Sequence, residues 1–245
     1  MKEIRILHWY YDIMNLYGDY ANVSAMKRIL EKNGCAVQAD KLSFADKPDF
    51  NSYDFIFIGS GTEKNQRVVL DDLRQYADAL KQYIDSDKLA LLTGNSFEML
   101  GKGITDCRGN RFDGLGFCGF EVSEQNKTRV TADVIFECDF LTKPLVGFVN
   151  KCSEIKGVSN ALFRVKTGLG NCDGDKSEGV RLNQLFGTHL TGPVLVKNPH
   201  FLAYLAEKLL GETPDLSAFA YERAGYEVTL TELSKRDFFV SRTKA

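Results

Sequence analysis

Two short, continuously apolar runs, each ending in a glycine-bearing turn, constrain this chain more than any other feature. Phe55-Ile56-Phe57-Ile58 leads into Gly59-Ser60-Gly61, and Leu89 to Leu92 leads into Thr93-Gly94-Asn95. A strand that is apolar at every position is buried on both faces, as in a parallel sheet covered by helices. Ile4 to Trp9 and Ala36 to Leu42 predict two further strands. Between them, Asn22 to Lys32 carries Val23, Met26, Ile29 and Leu30 at helical spacing, with Gly34 where a helix stops. Val68 to Ile84 predicts one long amphipathic helix, and Ser96 to Leu100 a short one. Strands alternating with helices imply an α/β fold with a mainly parallel sheet. Ligands bind such sheets at the carboxyl ends of the strands, where Gly59–Gly61 and Thr93–Ser96 fall.

The texture changes from Phe120 to about Leu190. Short alternating segments (Val130–Phe136, Leu145–Val149, Leu162–Val165 and Gln184–Leu190) are separated by Gly, Asn and Asp clusters. These predict antiparallel strands laid on the same core, because no Pro/Ser-rich linker divides them. Pro199 to Leu210 predicts a closing helix with proline at its start. The tail from Pro214 has two weakly helical stretches and a basic end (Lys235, Arg236, Arg242, Lys244), read as a solvated terminus.

Composition narrows the function classes. A length of 245 residues suits one large domain, or one domain with an appendage. A net charge of −2 lacks the basic footprint of a nucleic-acid binder. No stretch approaches the roughly 20 apolar residues of a membrane span, and the first residues lack a signal-peptide core, so a cytoplasmic protein without membrane insertion is expected. Six cysteines (Cys35, Cys107, Cys118, Cys138, Cys152, Cys172) show no CxxC or Cys/His ligand spacing. They predict unpaired thiols, with no metal and no cofactor. Only three histidines are present (His8, His189, His200), which limits acid–base chemistry.

Four segments together resemble one family. Asn15-Leu16-Tyr17-Gly18-Asp19-Tyr20-Ala21-Asn22 opens the first helix, and its Asp19 and Asn22 also suit a helix start. Phe57-Ile58-Gly59-Ser60-Gly61-Thr62 is a glycine-rich turn after a strand. Leu92-Thr93-Gly94-Asn95-Ser96-Phe97-Glu98-Met99-Leu100-Gly101-Lys102 has the form of a nucleophile elbow. Phe186-Gly187-Thr188-His189-Leu190-Thr191-Gly192-Pro193 precedes Lys197-Asn198-Pro199, and the Lys127-Thr128-Arg129 stretch lies between the third and fourth segments. From Ile4 to about Leu210 the chain resembles the CobB/CobQ-like branch of class I glutamine amidotransferases, closest to the GatD-type glutaminase subunits of lipid II isoglutaminyl synthase. The resemblance implies a flavodoxin-like, mainly parallel sheet flanked by helices with added antiparallel strands. It implies an amidotransferase-like domain over 1–212 and a helical tail over 213–245, packed on that domain or on a partner.

The resemblance also assigns roles. Anchored on Leu100-Gly101-Lys102, the family's nucleophilic cysteine falls on Gly94, and the family glutamine of that motif is replaced by Glu98. Where the family reads G-T-x-L-H-G-P, its catalytic histidine falls on Thr191, and His189 stands two residues earlier. Arg129 falls on an arginine of substrate handling, and Gly59, Ser60 and Gly61 on the turn whose amides help form an oxyanion hole. Glutamine hydrolysis needs a thiolate nucleophile and an imidazole base, which glycine and threonine cannot supply. The expectation is a catalytically degenerate subunit of a Mur ligase-like (MurT-like) amidating complex. Two alternatives stand beside it. One is an active amidohydrolase or amidotransferase using Ser96, His189 or Glu98, with His189 and Thr191 on one strand face. The other is a non-catalytic sensor of glutamine or a related small amino acid. Glu98 reads equally well as a solvent-facing helix residue, while Cys118 or Cys152 as a borrowed nucleophile is disfavoured, because neither sits on an elbow and both read better as buried structural thiols. Cobyrinate amidation is disfavoured, because no P-loop GxxxxGK[ST] exists here.

Overall fold

The computed structural model describes residues 1–125, 129–235 and 240–243. In chain order the first half holds β1 (Glu3–Trp9), α1 (Tyr20–Lys32), β2 (Ala36–Leu42), β3 (Phe55–Ile58), α2 (Glu63–Leu73), α3 (Ala77–Asp85) and β4 (Leu89–Thr93). Seven short strands follow: β5 (Gly103–Thr105), β6 (Arg111–Asp113), β7 (Glu121–Glu124), β8 (Arg129–Glu137), β9 (Leu145–Lys151), β10 (Ser153–Lys156) and β11 (Phe163–Thr167). The last third holds β12 (Ser177–Glu178), β13 (Val180–Leu182), β14 (Leu185–Thr188), β15 (Leu190–Thr191), α4 (Val194–Lys197), α5 (Pro199–Leu210), α6 (Ala220–Lys235) and β16 (Val240–Thr243).

The central sheet has the order β13-β14-β4-β3-β1-β2, parallel except for β13. Every residue of β3 and β4 is buried, as their unbroken apolar composition requires. Edge strand β2 is half exposed along its length. Strands β8, β9, β11, β12 and β15 form an antiparallel layer. Its Val134, Phe136, Leu145 and Val149 share one apolar cluster with Ile4, Ile6, Phe55 and Phe57 of the central sheet. A mixed α/β protein with a parallel sheet, flanking helices and added antiparallel strands is therefore what the chain forms.

Three expectations change. The long helix predicted from Val68 starts earlier, at Glu63, where Thr62 Oγ1 accepts from the Asn65 amide (3.1 Å). It is also broken at Arg74–Tyr76: Tyr76 leaves helical geometry (φ −105°, ψ 6°), with its ring 5.4 Å from that of Trp9. The strand predicted over Gln184–Leu190 is two strands in two sheets. β14 pairs with β4, then β15 crosses to pair with β9, and His189 is the residue between them. The basic end is not a free solvated terminus. Val240–Thr243 pairs antiparallel with β8, placing Thr243 opposite Arg129, because that half of the β8 edge offers unpaired backbone groups. Before it, α6 docks through the Tyr226 hydroxyl, which donates to Pro144 O (2.7 Å), and through an Arg28–Glu222 ion pair. Arg236 and Lys244 lie outside the described residues.

Candidate functional site

A cleft of about 150 Å³ opens at the carboxyl ends of β3 and β4. Its walls come from the Leu16-Tyr17 segment, the turn Ser60–Glu63, the turn Gly94-Asn95 with Glu98, and the stretch Asn150–Ser153 with Glu124, Arg129 and Thr191. The position is the one that the strand pattern predicts for a ligand in an open α/β sheet.

The first family-like segment works as a pair of fasteners rather than as helix caps. Asp19 makes no side-chain cap bond. Its fully buried carboxylate accepts from the Ser60 amide (2.7 Å) and from the Ser60 hydroxyl, so it pins the turn after β3. Asn22, also fully buried, accepts from the Leu195 amide (2.9 Å) and donates to Gly192 O (3.4 Å), pinning the loop after β15. Burial pushes the Asp19 carboxyl up to about 6, against the hydrogen bonds from Ser60 that favour its charged form. Tyr17 sits at φ +60°, a left-handed conformation uncommon for a residue with a side chain, and its ring lines the cleft.

The glycine-rich turn presents no free amide from Ser60 or Gly61. The Ser60 N–H is engaged by Asp19, and the Gly61 N–H donates to Asn95 Oδ1 (3.0 Å). Its glycines answer to the chain's own packing. A Cβ on Gly59 would lie 2.3 Å from Met14 O, and one on Gly61 would lie 2.3 Å from Met14 Sδ. Gly61 and Ser60 line the cleft, whereas Gly59 lies behind them.

At the elbow, Gly94 adopts φ +62°, the strained geometry expected of a strand-to-helix turn of this kind. A Cβ built there would lie 2.3 Å from Ser60 Cβ, so the space where a side chain would begin is already filled. Ser96 lies in the turn that follows. Its hydroxyl donates to Thr93 O (2.7 Å), with Ile58 O also in reach at 3.1 Å, and it is neither a helix cap nor a partner of His189. Thr191 reaches the cleft, but its hydroxyl donates to Phe148 O (3.0 Å).

Glu98, at the floor of the cleft, meets His189 behind it. Glu98 is 3% exposed, which removes the solvent-facing reading. It accepts from Gln66 Nε2 (2.7 Å) and from the Ser153 hydroxyl, and its Oε1 lies 3.2 Å from His189 Nε2. On the other side of the imidazole, Nδ1 lies 3.3 Å from Glu178 Oε1, off the line of a hydrogen bond. Glu178 accepts instead from the His189 amide (2.7 Å) and the Thr188 hydroxyl (2.8 Å). His189 and Thr191 therefore do not share a face toward the cleft, because the chain changes sheets between them. Lys151 completes the buried group, its ammonium donating to Gly170 O (2.7 Å) and Asn171 O (2.9 Å), with burial lowering its pKa.

Arg129 lies in the cleft as the resemblance implies, and its charge is already met. One guanidinium nitrogen pairs with Glu63 and another donates to Asn150 Oδ1 (3.0 Å), whose own amide donates to the Tyr17 hydroxyl (2.9 Å). Lys127 and Thr128 of the same stretch lie outside the described residues. Cys152 also lines this cleft, a placement its scattered sequence position did not reveal. Burial and the adjacent Glu63 carboxylate push its pKa well up, so it is held as a thiol that donates to Glu63 Oε1 (3.2 Å). Cys118 lies elsewhere, pushed up to about 11 by burial. Glu63 and Asn150 escaped sequence reasoning, and Cys152 was read there as a structural thiol. The one usable signal was the Thr62 cap, which puts Glu63 on the first turn of a helix at the carboxyl end of a strand.

A parallel sheet bearing an elbow turn and a facing glycine-rich turn at its carboxyl edge is consistent with a class I glutamine amidotransferase-like fold, and the sequence relatives supply the class. Within that class, the chain belongs to the family of the CobB/CobQ-like glutamine amidotransferase domain, which matches residues 5–199. Two relatives extend the likeness beyond that segment. The glutamine-hydrolyzing lipid II isoglutaminyl synthase subunit GatD of Staphylococcus aureus (strain N315) is 32% identical over 208 residues, 85% of each chain. Its namesake from Streptococcus pneumoniae (strain ATCC BAA-255 / R6) is 31% identical over 204 residues, covering 82% of this chain and 78% of the relative. No helix among the described residues is long and apolar enough to cross a membrane.

Proposed function

We propose that this chain is a GatD-like subunit that does not hydrolyse glutamine and serves a Mur ligase-like amidating complex related to lipid II amidation. One observation carries the reading: the elbow residue is Gly94, and Ser60 fills the space in which a nucleophilic side chain would start. Amide hydrolysis by this family's route needs three things: a thiolate, a base that can take its proton and return one to ammonia, and donors for the oxyanion. Gly94 offers no nucleophile. Thr191 has no basic group near neutral pH, and its hydroxyl is engaged by a backbone carbonyl. The amides of Ser60 and Gly61 already donate to Asp19 and Asn95. The cleft's own thiol, Cys152, is kept protonated by burial and Glu63.

The partner is argued from the relatives, both named as synthase subunits, and from the preserved frame around the cleft. Ammonia release from glutamine, measured on the chain alone and then with a Mur ligase-like protein from its own cells, tests the proposal. No release together with a stable complex is the expected result. Sustained release would overturn the non-hydrolysing reading, and failure to co-purify with the ligase would overturn the partner.

A second reading, a sensor of glutamine or a related small amino acid, is favoured by Arg129 inside a closed-backed cleft. Calorimetry with glutamine and glutamate tests it, and no heat of binding from any cleft variant would end it. Hydrolysis through Ser96 and His189 finds no support, since the Ser96 hydroxyl turns toward Thr93 and Ile58.

A further inference from the structure

The cleft contains one guanidinium suited to a carboxylate, and a carboxylate of the same chain already sits on it. Arg129 pairs with Glu63, and its remaining engaged nitrogen holds Asn150, so a ligand carboxylate arriving at this guanidinium meets an occupied donor. Planar guanidinium groups bind carboxylates through paired, charge-assisted hydrogen bonds, and two carboxylates compete for the same fork. Lys151, the cleft's other cation, is no substitute, because its ammonium points at two backbone carbonyls.

We propose that Glu63 is an internal stand-in for a ligand carboxylate, masking an Arg129 subsite that accepts small carboxylate-bearing molecules such as α-amino acids. The inference rests on the sensor reading of the same cleft and names what controls it. Three features make Glu63 a displaceable mask rather than a fixed strut. It is the first residue of α2, so its side chain can turn to solvent without moving the helix. The side chains of Glu63 and Arg129 are 32% and 28% exposed, which leaves a ligand a path to the pair. Its other partner is a thiol, Cys152, which loses little when the carboxylate leaves.

Opposing forces hold the mask in place. Burial works against the Glu63 charge, but its own amide, the Cys152 thiol and Arg129 together hold the carboxyl below its usual range. Position at a helix N-terminus adds to that preference.

The test compares glutamate and glutamine binding to the full chain and to Glu63→Gln, by calorimetry. Glutamine at 63 keeps the shape and the helix start but removes the competing charge. The expected result is glutamate binding about fivefold tighter or more in Glu63→Gln, the factor set by an ion pair of this exposure. Adding Arg129→Met to Glu63→Gln should abolish the gain. A second readout is the alkylation rate of Cys152 by iodoacetamide, since the thiol touches Glu63. It should rise in Glu63→Gln and fall again when glutamate is present. Equal affinities in wild type and Glu63→Gln, or a gain that survives loss of Arg129, would overturn the proposal. Equal but measurable affinities would sink the mask and leave the sensor reading standing, whereas no heat of binding in any variant would end both.

Discussion

The two polar groupings around the cleft are both buried, yet they do different work. On the parallel-sheet side, Asp19 and Asn22 each reach across the chain to a backbone amide and so hold the two turns that frame the cleft. On the antiparallel side, Glu98 meets the His189 ring, Gln66 and Ser153, while Glu178 accepts from the His189 amide and the Thr188 hydroxyl. The first grouping fixes backbone and holds the two turns through main-chain amides. The second fixes side chains, and each member leaves a buried partner exposed to desolvation if removed. The frame and the centre still touch at one point: Ser60, which Asp19 holds, packs where a Cβ on Gly94 would lie.

The comparison predicts an order of mutational cost. Glu178→Ala strands the His189 amide, the Thr188 hydroxyl and a neighbouring buried lysine, and should cost about 3–5 kcal/mol, as for breaking a buried charged network. Asp19→Ala removes one acceptor from Ser60 but also relieves a poorly solvated carboxylate, so about 2–3 kcal/mol is expected. Urea unfolding at pH 7 measures both. If Asp19→Ala proved the more costly, the frame and not the cluster would be the keystone of this region.

Legibility in the sequence follows the same line. β3 and β4 were readable because a strand buried on both faces must be apolar throughout, a rule that needs no knowledge of neighbours. The segment around Asp19 was readable as a motif but misread in role. A helix-start residue and a long-range fastener look alike in sequence, and the partner, Ser60, is 41 residues away. His189 was misplaced because period-two alternation holds only within one strand, and here the chain leaves the central sheet at that residue. Glu63 meets Arg129 across 66 residues, a separation at which no local pattern carries information. Tyr76 ended a helix for a tertiary reason, its contact with Trp9, which helical spacing cannot foresee.

Acid should act in opposite senses on the Asp19 fastener and on two buried histidines that lie outside both groupings. Burial lowers His8 to about 4, and His200 likewise. For each, the folded pKa lies below the unfolded one, so its contribution is complete above about 6.5 and is lost as pH falls toward 4. Asp19 runs the opposite way: its folded pKa of about 6 exceeds the unfolded value, so its contribution is present below about 4 and is lost as pH rises toward 6. The fastener thus gains as the histidines lose. Stability should fall between pH 7 and pH 5, with His8 alone contributing on the order of 2 kcal/mol. His8→Phe should flatten that fall in paired urea titrations, while Asp19→Asn should steepen it. An unchanged slope in both variants would mean that neither group titrates as its burial demands.

The smallest effect falls on the residue that sequence made a candidate nucleophile. Ser96 is fully buried, and its hydroxyl closes the elbow turn onto Thr93 O with Ile58 O beside it. Ser96→Ala removes a neutral hydroxyl without stranding a donor, since both carbonyls belong to strands whose backbone is otherwise ordered. The expected cost is about 1 kcal/mol, read by thermal or urea unfolding, with no change in glutamate binding or in ammonia release. A loss of glutamate binding at intact stability would place Ser96 in the working part of the cleft. It would then join the elbow to the chemistry and erase the distinction between frame and centre drawn above.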